Sequence, residues 1–185
     1  MSTLVFCLEE PSARAMLQGL LPRLLPPGVQ VQYIVFEGKQ DMHKRLTHRL
    51  KHWLAPDSCF VVLRDQDSSD CRLLKQELRL LCEAAGRSQA LVRIACHELE
   101  TFYLGDLAAV EQGLELRGLA KQQASSKFKT PDRLANPAEE LDKLTKSRYQ
   151  KLAGSRAIGP HLRIDGRNTS ASFCALIDGL KRLSI

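Results

Sequence analysis

The chain has 185 residues, 44% of them hydrophobic and 26% charged, which is enough to bury a substantial core and ordinary for a globular protein. Its net charge of +6 favours polyanionic partners over acidic repulsion of them. No apolar run approaches the ~18 to 20 residues that span a bilayer, and no basic stretch with a small-residue cleavage site opens the chain, so a cytoplasmic protein without a membrane segment is expected.

Residues 3–8 form an apolar run that reads as a first strand. A helix over 12–25 follows Pro11, with Ser12 as a candidate N-cap, and ends at Pro26-Pro27-Gly28. Val29, Val31, Tyr33 and Val35 alternate with polar residues, the pattern of a half-buried strand. Residues 41–54 make a basic helix carrying His43, His48, His52 and Trp53. A third strand is expected over 58–64 and a long helix over 69–85, closed by Gly86. Residues 90–96 read as a fourth strand.

This alternation predicts an α/β fold with a parallel-rich sheet flanked by helices. From Glu98 onward the pattern is helical. Short helices are expected near 99–104 and 106–117, an exposed lysine-bearing loop over 118–136, and helices over 137–144, 147–158 and 170–183. The whole of 1–185 reads as one domain: a sheet core over 1–117 and a basic, mainly helical extension over 118–185.

The acidic residues fall where strands run out. Glu9 and Glu10 follow the first strand, Asp65 and Asp67 the third, Glu98 and Glu100 the fourth. In an open parallel sheet the carboxyl ends of the strands share a crevice. Carboxylates gathered there repel one another, and a hard cation such as Mg²⁺ relieves the repulsion by taking oxygen ligands. Each group also has a plainer explanation. Asp67, Ser68, Ser69 and Asp70 are all good helix caps, and Glu9 and Glu10 precede a helix N-terminus, where negative charge is favourable. His97-Glu98-Leu99-Glu100 lacks the second histidine of a zinc-protease motif.

The six cysteines form no CxxC pair, which argues against a structural zinc site and fits a reducing compartment. No G-x-x-x-x-G-K-[ST] or G-x-G-x-x-G motif is present, so the chain offers no nucleotide loop of its own. Residues 121–185 carry 13 Lys and Arg against 6 Asp and Glu. That excess places candidate phosphate contacts at Arg148, Lys151, Arg163, Arg167 and Asn168, beside His161 and Ser170. Aromatic content of 5% favours backbone recognition over base stacking.

These motifs resemble the DUF4276 family of small TOPRIM-like proteins, related to the TOPRIM domains of topoisomerases, primases and OLD-type nucleases. The resemblance rests on Leu8-Glu9-Glu10-Pro11-Ser12, on Val62-Leu63-Arg64-Asp65-Gln66-Asp67, on Glu98-Leu99-Glu100 running to Gly105-Asp106, and on Asn168-Thr169-Ser170-Ala171-Ser172-Phe173. It extends from Leu4 to Leu183. Glu10 departs from the glycine common after the first glutamate, and either reshapes the site or adds a carboxylate.

The resemblance implies a TOPRIM-like, Rossmann-like sheet and a Mg²⁺-dependent nuclease, with Mn²⁺ as a substitute and two ions in the site. Glu9, Asp65 and Asp67 would be catalytic metal ligands, joined by Glu98 and Glu100. The substrate would be DNA or RNA, cut by activated water, since no Ser, Cys or Tyr stands out as a nucleophile. The setting it implies is anti-phage defence beside a separate SMC- or ABC-type ATPase, with room for a homo-oligomer. The rival is a non-catalytic binding or regulatory subunit of that ATPase. A weaker third reading is a phosphotransfer enzyme or phosphatase on the same carboxylates.

Overall fold

The computed structural model describes residues 3–183. Four parallel strands, β1 (Thr3–Leu8), β2 (Gln30–Val35), β3 (Ser58–Asp65) and β4 (Leu91–Ala95), form one sheet in the order β2-β1-β3-β4. The helices are α1 (Pro11–Leu20), α2 (Lys39–Lys51), α3 (Cys71–Ala84), α4 (Glu100–Leu104), α5 (Leu107–Gly113), α6 (Pro137–Leu144), α7 (Lys151–Ile158) and α8 (Ala171–Lys181).

The period of two in each strand divides the core. Val5, Cys7, Phe60 and Val62 point to one face and pack on Met42, Leu46 and Leu50 of α2 and Leu74, Leu78 and Cys82 of α3. Leu4, Phe6, Leu8, Val61 and Leu63 point to the other face. That face is covered by α1 and by apolar residues of the later helices, including Phe102, Leu141, Ile158 and Phe173. β1 is buried throughout because it is covered on both faces, which is why its run is continuously apolar. Losing one of these packed leucines, Leu46→Ala for instance, carries a cost of about 2–5 kcal/mol.

Several boundaries differ from the sequence expectation for local reasons. The first helix stops at Leu20 and tightens into a 3₁₀ turn over Leu21–Arg23, where Pro22 lacks an N–H to continue the α pattern. The helix expected from 147 begins at Lys151. Lys146 and Ser147 have φ of 52° and 59°, and Tyr149 N–H donates to Thr145 Oγ1 rather than to a helical carbonyl. The loop over 118–136 contains two 3₁₀ turns, Ala120–Gln122 and Pro131–Arg133. The C-terminal segment is not appended to the core but completes it, because Leu141, Ile158, Phe173 and Leu176 share one buried cluster with β1 and α1. Among the described residues no helix is long and apolar enough to cross a membrane.

The strand order places β1 and β3 inside the sheet, with α1 on one face and α2 on the other. The chain runs from β1 out to β2, then returns to β3 on the far side of β1. The carboxyl ends of β1 and β3 therefore flank the switch point where crevices form in doubly wound sheets.

Candidate functional site

β1 and β3 are parallel with Leu8 beside Leu63, so Glu9 and Asp65 emerge at the same end of the sheet. Glu9 Oε2 accepts a hydrogen bond from the Asp65 N–H at 3.3 Å, which ties the two strand ends together. Asp65 is the last residue of β3 and follows Val61 and Leu63 in register, so its side chain lies on the face covered by α4 and α7. Burial pushes its carboxyl well above the ordinary carboxylate range, and repulsion from Glu100, Glu9 and Glu10 pushes it further. Burial also raises Glu9, with Asp67 adding to the shift and the Arg64 guanidinium opposing it. Arg64 lies on the other face of β3, is buried, and sets its Nε 3.8 Å from Glu9 Oε2.

Glu100 opens α4 and is only 1% exposed. Its Oε1 accepts from the Tyr149 hydroxyl at 2.8 Å, while its Oε2 is buried without a hydrogen-bond partner. Tyr149 leans 3.4 Å from Ser155 Oγ, which also receives the Tyr103 hydroxyl at 2.7 Å. Burial raises the Glu100 carboxyl, against the Tyr149 hydrogen bond. Lys151, the first residue of α7, is paired with Glu10. Burial disfavours its charge, but Glu10, Glu100 and Asp65 outweigh that and raise its pKa.

Asp67 takes a different position. Its backbone is left-handed, with φ of 52°, and its N–H donates to His97 O at 2.7 Å. Its Oδ2 lies 2.9 Å from Lys39 Nζ at the start of α2. The helix cap that the sequence left open is Asp70, which accepts from the N–H groups of Arg72 and Leu73. Glu98 is turned away from Asp65: its Oε2 accepts from Ala138 N–H at 2.8 Å and satisfies a free donor in the first turn of α6. Gln66, Asp67, Ser68, Ser69, His97 and Glu98 line a polar cleft of about 520 Å³ on this side.

A narrow crevice of about 10 Å³ opens between Glu9, Glu10, Asp65 and Leu99, about the room one water-sized particle needs. The donor chemistry there fits a hard cation. Its oxygens are carboxylate, Asp65 is repelled by three neighbours, and one Glu100 oxygen is unsatisfied. The positions are not yet those of a ligand shell: among the described residues no three Asp, Glu, His or Cys side chains are set to hold one ion. Lysine ammonium groups neutralise Asp67 and Glu10 instead.

The candidate phosphate contacts divide. Arg148 is exposed and Lys151 reaches the acidic cluster. Arg163 and Asn168 are engaged by buried partners. Buried Asp106 accepts from Arg163 N–H at 2.8 Å and Nε at 2.9 Å, and lies 2.7 Å from Nη2. Asn168, 3% exposed, donates to Phe102 O and accepts from Ser170 N–H. Ser170 Oγ in turn caps α8. Gly105 fits beneath because a Cβ there would overlap Asn168 Oδ1 and come within 2.7 Å of Ser170 N. The Gly105-Asp106 and Asn168–Ser172 motifs are thus two halves of one clasp. Arg167 is engaged by Asp165, two residues away in the chain.

Sequence reasoning missed Lys39, Arg64 and Tyr149 as members of this site. Arg64 lies within the Val62–Asp67 motif, but no local pattern marks Lys39, 28 positions from Asp67, or Tyr149, which reaches Glu100 across 49 positions.

A four-stranded parallel sheet flanked by helices, with carboxylates at its switch point, is a TOPRIM-like fold. The C-terminal region of the Burkholderia pseudomallei OLD protein is similar over 98% of this chain and 98% of that chain, with a TM-score of 0.53 and 19% identity. The C-terminal region of the Xanthomonas campestris pv. campestris OLD protein covers 98% of this chain and 95% of its own, with a TM-score of 0.48 and 17% identity. No curated protein matches the sequence. Residues 8–181 match the family described as Domain of unknown function (DUF4276), and the chain belongs to that family.

Proposed function

We propose that this chain is a divalent-metal-dependent nuclease domain of the TOPRIM type, hydrolysing phosphodiesters of DNA or RNA. The observation that carries the reading is the bond between Glu9 and the Asp65 N–H at the switch point, with the buried Glu100 carboxyl near enough to repel Asp65 and one of its oxygens left without a donor. Glu9, Asp65 and Asp67 are the proposed ligands of Mg²⁺ or Mn²⁺, with Glu100 nearby for a second ion. A bound ion would lower the pKa of its water and neutralise charge on the phosphate.

The chain's own residues have distinct parts in this scheme. Tyr149 fixes Glu100, and Arg64 and the Asp65 N–H orient Glu9. Lys39 and Lys151 hold positive charge at the rim, where each can exchange its carboxylate for a phosphate oxygen. Glu98, whose Oε2 accepts from Ala138 N–H, is the less available partner of Glu100 in the proposed ligand set.

The TOPRIM-like relative is itself the C-terminal region of a larger protein. We propose that this chain likewise works beside a partner, a separate ATPase of the SMC or ABC type that gates it in anti-phage defence. The rival reading of a non-catalytic regulatory subunit draws support from the lysines on Asp67 and Glu10.

One assay separates them. Supercoiled plasmid and tRNA are incubated with Mg²⁺ or Mn²⁺ and the protein, alone and co-purified with an ATPase encoded beside it. Cleavage lost in Asp65→Asn supports the nuclease. No metal-dependent cleavage in any complex supports the regulatory subunit.

A further inference from the structure

The C-terminal third holds the numerical excess of cations, and among the described residues five of its thirteen Lys and Arg are in ion pairs. Lys127 pairs with Glu140, Lys143 with Glu139, Lys151 with Glu10, Arg163 with Asp106 and Arg167 with Asp165. The contrast is α2. From Lys39 to His52 the chain carries five Lys and Arg against one Asp.

The packing of α2 sorts those charges. Met42, Leu46 and Leu50 face the sheet. Lys44, His48 and Lys51 follow at i, i+4 and i+7 and form one ridge pointing away from it, and Arg45 and Arg49 flank that ridge. All five are exposed. The sole acid of the helix, Asp41, pairs with Arg45. Among the described residues, Lys44, Arg49 and Lys51 have no carboxylate within ion-pair distance.

The helix starts at the acidic site. Lys39, the first residue of α2, grips Asp67, and the Gly38 N–H donates to Glu9 O. A groove of about 280 Å³ joins Lys39, His43 and Lys44 to Arg64 and Ser69, with Glu77 on its far wall. The helix then runs about 20 Å from the site. A carboxylate cluster repels the polyanion it is to cut, so a nuclease of this kind needs cations close by to hold the strand.

We infer that the outer face of α2, with Lys44 and Lys51 on its ridge, Arg49 on its flank and Lys39 at its start, is a phosphate-backbone track that seats nucleic acid against the acidic site. It takes DNA or RNA by its backbone, without base reading, because the ridge offers charge and no exposed aromatic platform. The inference rests on the nuclease reading for its purpose, but binding along α2 is measurable without cleavage.

The test is binding of a fluorescein-labelled 20-base-pair DNA duplex and of a single-stranded RNA of equal length, in EDTA, over a salt series. The variant K44Q/R49Q/K51Q is expected to bind about tenfold or more weakly at low salt. The slope of log K against log salt for the duplex is expected to fall by about 2 to 3, as three lost phosphate contacts require. The comparison variant K121Q/K143Q/K146Q removes the same charge from the C-terminal segment and is expected to keep the wild-type slope. Unchanged melting temperatures establish that both variants are folded, which the exposure of the substituted residues favours.

Equal losses in the two variants would reduce the effect to net charge and overturn the track, as would an unchanged slope in the α2 variant. Tighter binding of wild type to phosphatidylserine vesicles than to either nucleic acid would also overturn it, in favour of a membrane surface. If the α2 variant loses binding and wild type cuts nothing with metal, the track stands and the nuclease reading falls. If the α2 variant binds and cuts as wild type does, the nuclease reading stands and the track falls.

Discussion

Lys39 Nζ lies 2.9 Å from Asp67 Oδ2, so the first residue of α2 neutralises the second aspartate of the Asp-x-Asp motif. The hydrogen bond and charge of Asp67 raise the Lys39 pKa. Both side chains are substantially exposed, at 51% and 31%, so the pair contributes little to folding. Its consequence is competition: ammonium and metal seek the same carboxylate.

Lys39→Gln is therefore expected to tighten Mg²⁺ binding several-fold while changing folding stability by less than about 1 kcal/mol. Asp67→Asn is expected to weaken Mg²⁺ binding and abolish cleavage, because the amide lacks the charge a hard cation needs. Calorimetric titration with Mg²⁺ reads the first effect and a plasmid assay the second. Wild-type cleavage by Asp67→Asn would remove Asp67 from the ligand set.

A pH dependence follows from Asp65. Its folded pKa, like those of Glu9 and Glu100, is raised above the unfolded value. The unfolded state therefore loses its protons first as pH rises above about 4, and stability falls until the folded carboxyl ionises. The metal-free wild type should lose stability between pH 5 and pH 8 relative to Asp65→Asn. Mg²⁺ should raise the wild-type melting temperature more at pH 8 than at pH 5. Parallel curves for wild type and variant in EDTA would contradict the crowded-carboxylate account.

Tyr149→Phe isolates the support of Glu100. The hydroxyl is the donor to Glu100 Oε1, and Oε2 already has none. Removing it from a buried carboxylate should cost about 1–3 kcal/mol in urea denaturation. A loss below about 0.5 kcal/mol would mean that Glu100 finds another donor.

The clasp gives a prediction independent of metal. Gly105→Ala drives a methyl into Asn168 and Ser170 beside buried Asp106, and overpacking of this kind costs about 1–3 kcal/mol. Thermal melting in EDTA checks it. Because the clasp joins α4 to the N-terminus of α8, hydrogen exchange should rise at both places together.

The sequence by itself determined the sheet and the end at which its acids gather. Apolar runs of strand length, alternating with helical periods, leave parallel strands as the economical arrangement. Parallel strands then bring every strand-ending residue to one edge, so Glu9 and Asp65 had to meet once β1 and β3 paired. Only the tertiary structure decided which polar groups remain available there. Glu98 and Glu100 are two residues apart and alike in sequence. One caps α6 through Ala138, and the other is buried against Tyr149. Asn168 and Arg163 have the composition of phosphate contacts, yet Phe102 and Asp106 hold them across more than fifty positions of chain. Lys44 and Lys51 look like any solvated helix, and take their position from the packing of Met42, Leu46 and Leu50 on the sheet. Local periodicity fixes where the backbone goes, because it reports burial of each face. The partner of a long polar side chain is set by which distant segment folds over it, and no local pattern records that.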